Sequence, residues 1–183
     1  MNLPEIHGYA IVSDDDRIAD AGGAMPAALR NEADWAYFQA ELDRAELVAL
    51  GRASHAATPN AKQRRRLVLS RTARGLERRA DGWWWRPEAM PWAEVAAALV
   101  VPGGRVATPG GQVAFETFLE IGFAAFHLSR AAGVRLPGGR GLFEACERGV
   151  AAEDILRAAG LRGGSAVTLD AAAGVTLTVW RAC

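Results

Sequence analysis

The sequence predicts an α/β fold: a mainly parallel sheet covered by helices on both faces, with an antiparallel end. Three observations predict it. Short apolar runs alternate with segments of helical period through most of the chain, the pattern of crossovers on a sheet buried on both sides. The final segment, "SAVTLDAAAGVTLTVW", is two extended runs about a turn, a hairpin that supplies the antiparallel end. A length of 183 residues suits one domain, 1–183, with enough chain to bury a substantial core.

Each element follows in order. "YAIVS" is a short apolar run stopped by Asp14, Asp15 and Asp16, a buried strand feeding a polar turn. After the flexible "ADAGGAMPAALR", Asn31 is placed to cap a helix in which Trp35, Phe38, Leu42 and Ala45 share one face, directed at the sheet. "AELVALGR" and "RRRLVLSR" are two more buried strands, each ending near an arginine. "DGWWWRPEAMPWAEVAAALV" reads as a turn, an aromatic edge segment and a helix with Pro91 in its first turn. "GRVATPGG" is the next strand and "QVAFETFLEIG" the helix after it, with Ala114, Phe118 and Ile121 on one face. "AAFHLSRAAG" is a further strand, and "EDILRAAGL" a short helix stopped by Gly160.

The bulk numbers exclude several classes of function. Basic and acidic side chains balance at 21 each, so no net field favours nucleic acid or a membrane surface. No apolar run approaches the roughly 18 residues of a membrane span, and the start lacks the basic and apolar regions of a leader, so a cytoplasmic protein is expected. Cys146 and Cys183 have no metal or redox spacing. His7, His55 and His127 lie too far apart in sequence to suggest a metal site, and none is inferred. No GxSxG occurs, which argues against a hydrolase of that type. Arg64, Arg65 and Arg66 have no interleaved aromatics and read as a solvated edge rather than a nucleic-acid surface. In "WWW", alternation turns Trp83 and Trp85 inward and leaves Trp84 outside, at the contact of a homodimer.

Ligands of open α/β sheets bind beyond the carboxyl ends of the strands, and three loops there carry suitable residues. Gly51, Arg52 and Ser54 offer a guanidinium and a hydroxyl; Ser70 and Arg71 offer the same pair. Gly110, Gly111 and Gln112 offer backbone amides at a helix start, where an anion gains from the unpaired N–H groups. The glycines equally suit a plain corner that needs a positive φ. Neither GxGxxG nor GxxxxGK[ST] occurs. Asp34 is the carboxylate of interest: it either favours the helix N-terminus three residues after Asn31, or protonates a bound heterocycle.

The segments "AIVSDDDRIAD", "ADWAYFQAELDRAELVALGRASH", "RRRLVLSR", "VATPGGQVAFETFL" and "AFHLSRAAGVRLPGGRGLFE", in this order across residues 10 to 144, resemble the dihydrofolate reductase superfamily. In places they are more similar to the reductase domain of the bifunctional deaminase/reductase of riboflavin biosynthesis. The resemblance implies a mixed, dihydrofolate reductase-like sheet of about eight strands flanked by helices. It also implies NADPH as cofactor and a small pterin-like, pyrimidine-like or other carbonyl or imine substrate. Carried over by position, Gly110, Gly111 and Gln112 lie against the cofactor pyrophosphate, Gly51, Arg52 and Ser54 grip its phosphates, and Ser70 and Arg71 reach the adenosine 2'-phosphate. Ala10 and Ile18 line the nicotinamide pocket, Ile18 from a closing loop, and Ser129 stands beside the substrate. Asp34 takes the acidic position of the helix that also carries Phe38.

The substrate end departs from the family pattern. Folate reductases follow the proline of the first loop with tryptophan, whereas Pro26 is followed by Ala27, and the loop is two residues longer. The deaminase signatures HxE and PCxxC are absent, so a standalone reductase domain is expected. The alternative within the same fold is a module that binds NADPH or another nucleotide without reducing anything.

Overall fold

The computed structural model describes residues 3–183. Strand β1 (Glu5–Val12) runs through the middle of a ten-stranded sheet. On one side it pairs in parallel with β7 (Arg105–Gly110), and beyond that come β3 (Leu47–Gly51), β4 (Arg66–Leu69), β6 (Gly82–Trp85) and β5 (Leu76–Arg79). On the other side it pairs in parallel with β8 (Ala125–Ala131), followed by β12 (Val175–Ala182), to which β10 (Leu161–Gly163) and β11 (Val167–Asp170) both pair. The sheet is parallel from β8 to β6 and antiparallel at both ends. A small separate ribbon joins β2 (Arg17–Ala19) to β9 (Arg140–Gly141).

The last hairpin forms as expected, but the sheet is wider than eight strands. Short β5 and β10, "LERR" and "LRG", carry too few apolar side chains to be read as strands. Because β5 caps that end, the tryptophan strand β6 is internal rather than an edge.

Alternation of side chains divides the core between two faces. On one face, α3 (Trp92–Leu99), α4 (Gln112–Ile121) and α5 (Ala152–Ala158) bury Val95, Leu99, Phe115, Phe118 and Leu156 against Ile6, Val12, Ala49, Leu67, Val106 and Phe126. Full burial of such side chains contributes about 1.5–3 kcal/mol each. Gly8 makes room for this packing, since a Cβ there would fall 2.3 Å from the Phe126 ring. On the opposite face, α1 (Glu32–Leu42) sets Phe38 and Leu42 against Tyr9, Val48, Leu50 and Ala107. The short α2 (Arg52–Ala57) lies beside it, with His55 edge-on to Trp84.

Three expected packing positions are corrected. Trp35 is 56% exposed, because α1 turns Asp34, Phe38 and Glu41 toward the sheet instead. Ile121 ends α4 at 38% exposure, beyond the reach of the core. Trp84 is not outside: it is buried with Val68 and Ala73, donates from Nε1 to Asp81 at 2.8 Å, and carries the Arg79 guanidinium over its ring at 4.3 Å. Trp83 and Trp85 do face the main core.

Candidate active site

The parallel strands all deliver their carboxyl ends to one rim of the sheet, and the expected site residues gather there in two groups. The first is backbone-lined. Strands β3 and β7 are neighbours, so Gly51 and the pair Gly110 and Gly111 meet where α2 and α4 begin. Gly111 has φ +86°, and a Cβ on it would sit 3.2 Å from Ser54 Oγ and 3.6 Å from Gly51 Cα. A Cβ on Gly110 would sit 3.4 Å from the same hydroxyl. The glycines therefore do turn a corner, and the same corner leaves a bare backbone surface at the start of α4. No side chain caps that helix, so its first amides stay available to an anion.

The polar side chains around this surface are used unevenly. Arg52 and Arg71 are exposed at the rim. Ser70 is buried and committed to its own turn, its hydroxyl 3.0 Å from Thr72 Oγ1 and accepting from the Thr72 amide at 3.1 Å. The Gln112 side chain donates to the Gly141 carbonyl at 3.0 Å and to Glu147 at 2.8 Å, which ties α4 to β9 and leaves only its main-chain amide to a ligand. Through β9 this link also holds β2, where Ile18 packs partly buried on the main core, as does Ala10 from β1. The polar turn between β1 and β2 is a set of clasps. Asp14 accepts from the Gly133 amide, Asp15 from the Leu136 amide, and Asp16 from the Ala152 amide at the start of α5 while paired to Arg130 at 2.7 Å.

The second group lies across β1, on the α1 face. Asn31 accepts from the Asp34 amide at 3.0 Å and its own amide nitrogen donates to Asp170 of β11, so the first turn of α1 is pinned at both ends of the cap. The Asp34 side chain turns inward to Ser129 of β8, which pairs with Ile11. Burial raises the carboxyl above the ordinary aspartate value, and the hydrogen bond from the Ser129 hydroxyl offsets only part of that. A carboxyl so placed keeps a proton to higher pH than a solvated one. Phe38 packs one turn deeper, its ring 6.1 Å from that of Tyr9. Ala27 lies in a 3-10 turn, Ala27–Leu29, and is exposed, with only Leu29 of that turn buried.

One turn further along α1, the structure assembles a polar cluster that sequence spacing does not reveal. His7 and His127 are 120 residues apart, yet β1 and β8 set His7 Nδ1 3.2 Å from His127 Nε2. Strand pairing thus joins two histidines that their separation in sequence gave no reason to group. The Tyr37 hydroxyl is 2.6 Å from His127 Nδ1, and Tyr9 donates to Glu41 at 3.2 Å. Arg105 and Arg44 also bind the Glu41 carboxylate. Burial holds the His127 imidazolium down to about 3 and pushes the Tyr37 phenol up to about 12. The one available signal was the helical spacing of Asp34, Tyr37 and Glu41, a polar stripe beside the apolar one.

No family model matches this sequence, and no curated protein matches it. Solved structures do match it, among them the following two. A diaminohydroxyphosphoribosylaminopyrimidine deaminase/5-amino-6-(5-phosphoribosylamino)uracil reductase from Thermotoga maritima aligns over 99% of this chain at 14% identity and TM-score 0.67. The alignment takes in 57% of that protein, so this chain spans little more than half its length. A dihydrofolate reductase from Enterococcus faecalis, complexed with NADP(H) and RAB-propyl, aligns over 98% of this chain and 97% of its own at 13% identity and TM-score 0.67. The parallel centre, the helices on both faces and the terminal hairpin are those of the dihydrofolate reductase-like fold, and this chain has that fold.

Proposed function

We propose that this protein is an NADPH-dependent reductase of a small carbonyl or imine substrate, pterin-like or pyrimidine-like in kind. The observation that carries the reading is the pairing of two features on one rim of the sheet. A glycine-lined helix start suits a pyrophosphate, and across β1 from it lies a half-buried carboxyl with a raised pKa. Gly110, Gly111 and the first amides of α4 would hold the pyrophosphate, with Gly51 and Ser54 beside it. The exposed Arg52 and Arg71 would reach the remaining phosphates, a guanidinium being a charged fork that suits them. Bound there, NADPH supplies a hydride.

The chain's own chemical contribution is the proton. Asp34 in its neutral form would donate its proton to the oxygen or nitrogen of a C=O or C=N bond whose carbon takes the hydride, giving an alcohol or amine and an aspartate that bulk water would reprotonate. Ser129 orients the carboxyl. A small, exposed Ala27 where folate reductases place tryptophan favours a substrate other than folate. Loss of NADPH absorbance in stopped flow with candidate pterins and pyrimidines tests the reading, with Asp34→Asn as control. Turnover that falls by about 10²–10⁴ in the variant supports the role of Asp34, and full turnover removes it.

The exposed first loop favours a second reading, a module of the same fold that binds NADPH without reducing anything. Both readings expect NADPH to raise the melting temperature; only the first expects substrate-dependent oxidation. Absence of any NADPH effect on melting excludes both.

A further inference from the structure

We propose that His7, His127 and Glu41 form a buried binding site for one divalent transition-metal ion of the zinc class, clamping α1 to β1 and β8. The three side chains are buried, and one ligand atom from each lies within 4.8 Å of the others. The two imidazole nitrogens already have the spacing required: 3.2 Å between His7 Nδ1 and His127 Nε2, against about 3.3 Å for the edge of a tetrahedron with zinc–nitrogen bonds of about 2.0 Å. One carboxylate and two imidazoles are a common zinc donor set that leaves a fourth position for water.

The hydrogen-bond partners fix which nitrogens face the site. Glu5 lies 3.5 Å from His7 Nε2 and, as a carboxylate, only accepts, so that nitrogen carries the proton and Nδ1 presents its lone pair. The Tyr37 hydroxyl at His127 Nδ1 either donates or accepts. When it donates, His127 Nε2–H bonds to His7 and the pair is satisfied without metal. When the hydroxyl rotates to accept, both lone pairs point to one place, an arrangement that only a cation stabilises. Tyr37 is thus the outer partner that sets the tautomer of a metal-bound histidine.

The charges around Glu41 set the cost. Its Oε2 accepts from Tyr9 and Arg105, each at 3.2 Å, while its Oε1 is held by Arg44. The Arg44 side chain is 67% exposed and can leave for water, which removes one of the two cations that compete for the carboxylate. His55, the remaining histidine, pairs with Asp81 on the surface and lies outside this cluster.

The test is titration of the chelator-treated protein with Co²⁺, whose visible bands report tetrahedral nitrogen and oxygen ligation. One equivalent is expected to bind with such bands, to be displaced by Zn²⁺, and to show two imidazoles in the cobalt X-ray absorption shell. Affinity is expected to fall at least tenfold in Glu41→Gln and His127→Gln, and 10–100-fold in Tyr37→Phe, which keeps all three ligands. His55→Gln and Cys183→Ser are expected to bind as the parent does. The proposal is overturned by weak octahedral spectra, by a shell with fewer than two imidazoles, or by binding that disappears with His55 or Cys183. The absorption measurement on the parent protein decides the matter even where a ligand variant fails to fold.

Discussion

Asp34 and Gly111 carry the sharpest predictions at the scale of single residues. Because burial raises the folded-state pKa of Asp34, its stabilising contribution is complete below the unfolded value of about 3.9 and is lost as pH rises through the folded one. Asp34→Asn, neutral at every pH, is therefore expected to melt higher than the parent at neutral pH, the gap closing in acid; thermal melts across pH check this. In the parent, kcat/KM is expected to fall as pH rises through the same group, and the variant is expected to lose that limb. Gly111→Ala puts a side chain at φ +86° and 3.2 Å from Ser54 Oγ, a loss of about 1–2 kcal/mol in denaturant unfolding. Gly110→Ala is not strained by a positive φ, so it is expected to fold and to lose the NADPH-induced rise in melting temperature. The glycine pair was visible in the sequence as a place where backbone is bare; whether it was a corner or a cradle depended on Gly51 and Ser54, from a much earlier loop of the chain, arriving beside it.

At the scale of elements, α1 and β6 show where periodicity suffices and where it does not. The cap at Asn31 and the extent of α1 follow from local chemistry, so Asn31→Ala is expected to cost about 1 kcal/mol, and somewhat more through its lost bond to Asp170. The face of α1 is another matter. Trp35, Phe38 and Leu42 have helical spacing, but the sheet offers Tyr9, His7 and Ser129 to the next stripe round, and the helix rolls to bury Glu41 and leaves Trp35 in water. A carboxylate can be buried there only because Arg105, Arg44 and Tyr9 meet it. Strand β6 was legible as extended and alternating; that it is internal was not, because its outer neighbour "LERR" has one apolar residue in four. Trp84→Ala is expected to destabilise by about 3 kcal/mol in urea and to sediment as the parent does, since its ring is covered by Arg79 and His55 of the same chain.

The molecule as a whole is a mainly parallel sheet with its candidate site residues on one rim, and ligand linkage is the property that tests that site. NADPH at about 100 times its dissociation constant is expected to stabilise the fold by about 2.7 kcal/mol, and Arg71→Ala to reduce that gain while leaving the unliganded melting temperature unchanged, the side chain being exposed. The two antiparallel ends, β5 and β10 to β12, close the sheet without a long parallel edge. Fold class, the main apolar strands, the longer helices and the loops that reach the rim were determined by the sequence alone, because each depends on period, capping and turn chemistry within about a dozen residues. What only the tertiary structure decided is every relation between distant segments: Gly51 against Gly111, Asp34 against Ser129, and His7 against His127. Strand register sets the last of these directly, and shifting β1 or β8 by one residue would turn its histidine to the opposite face of the sheet.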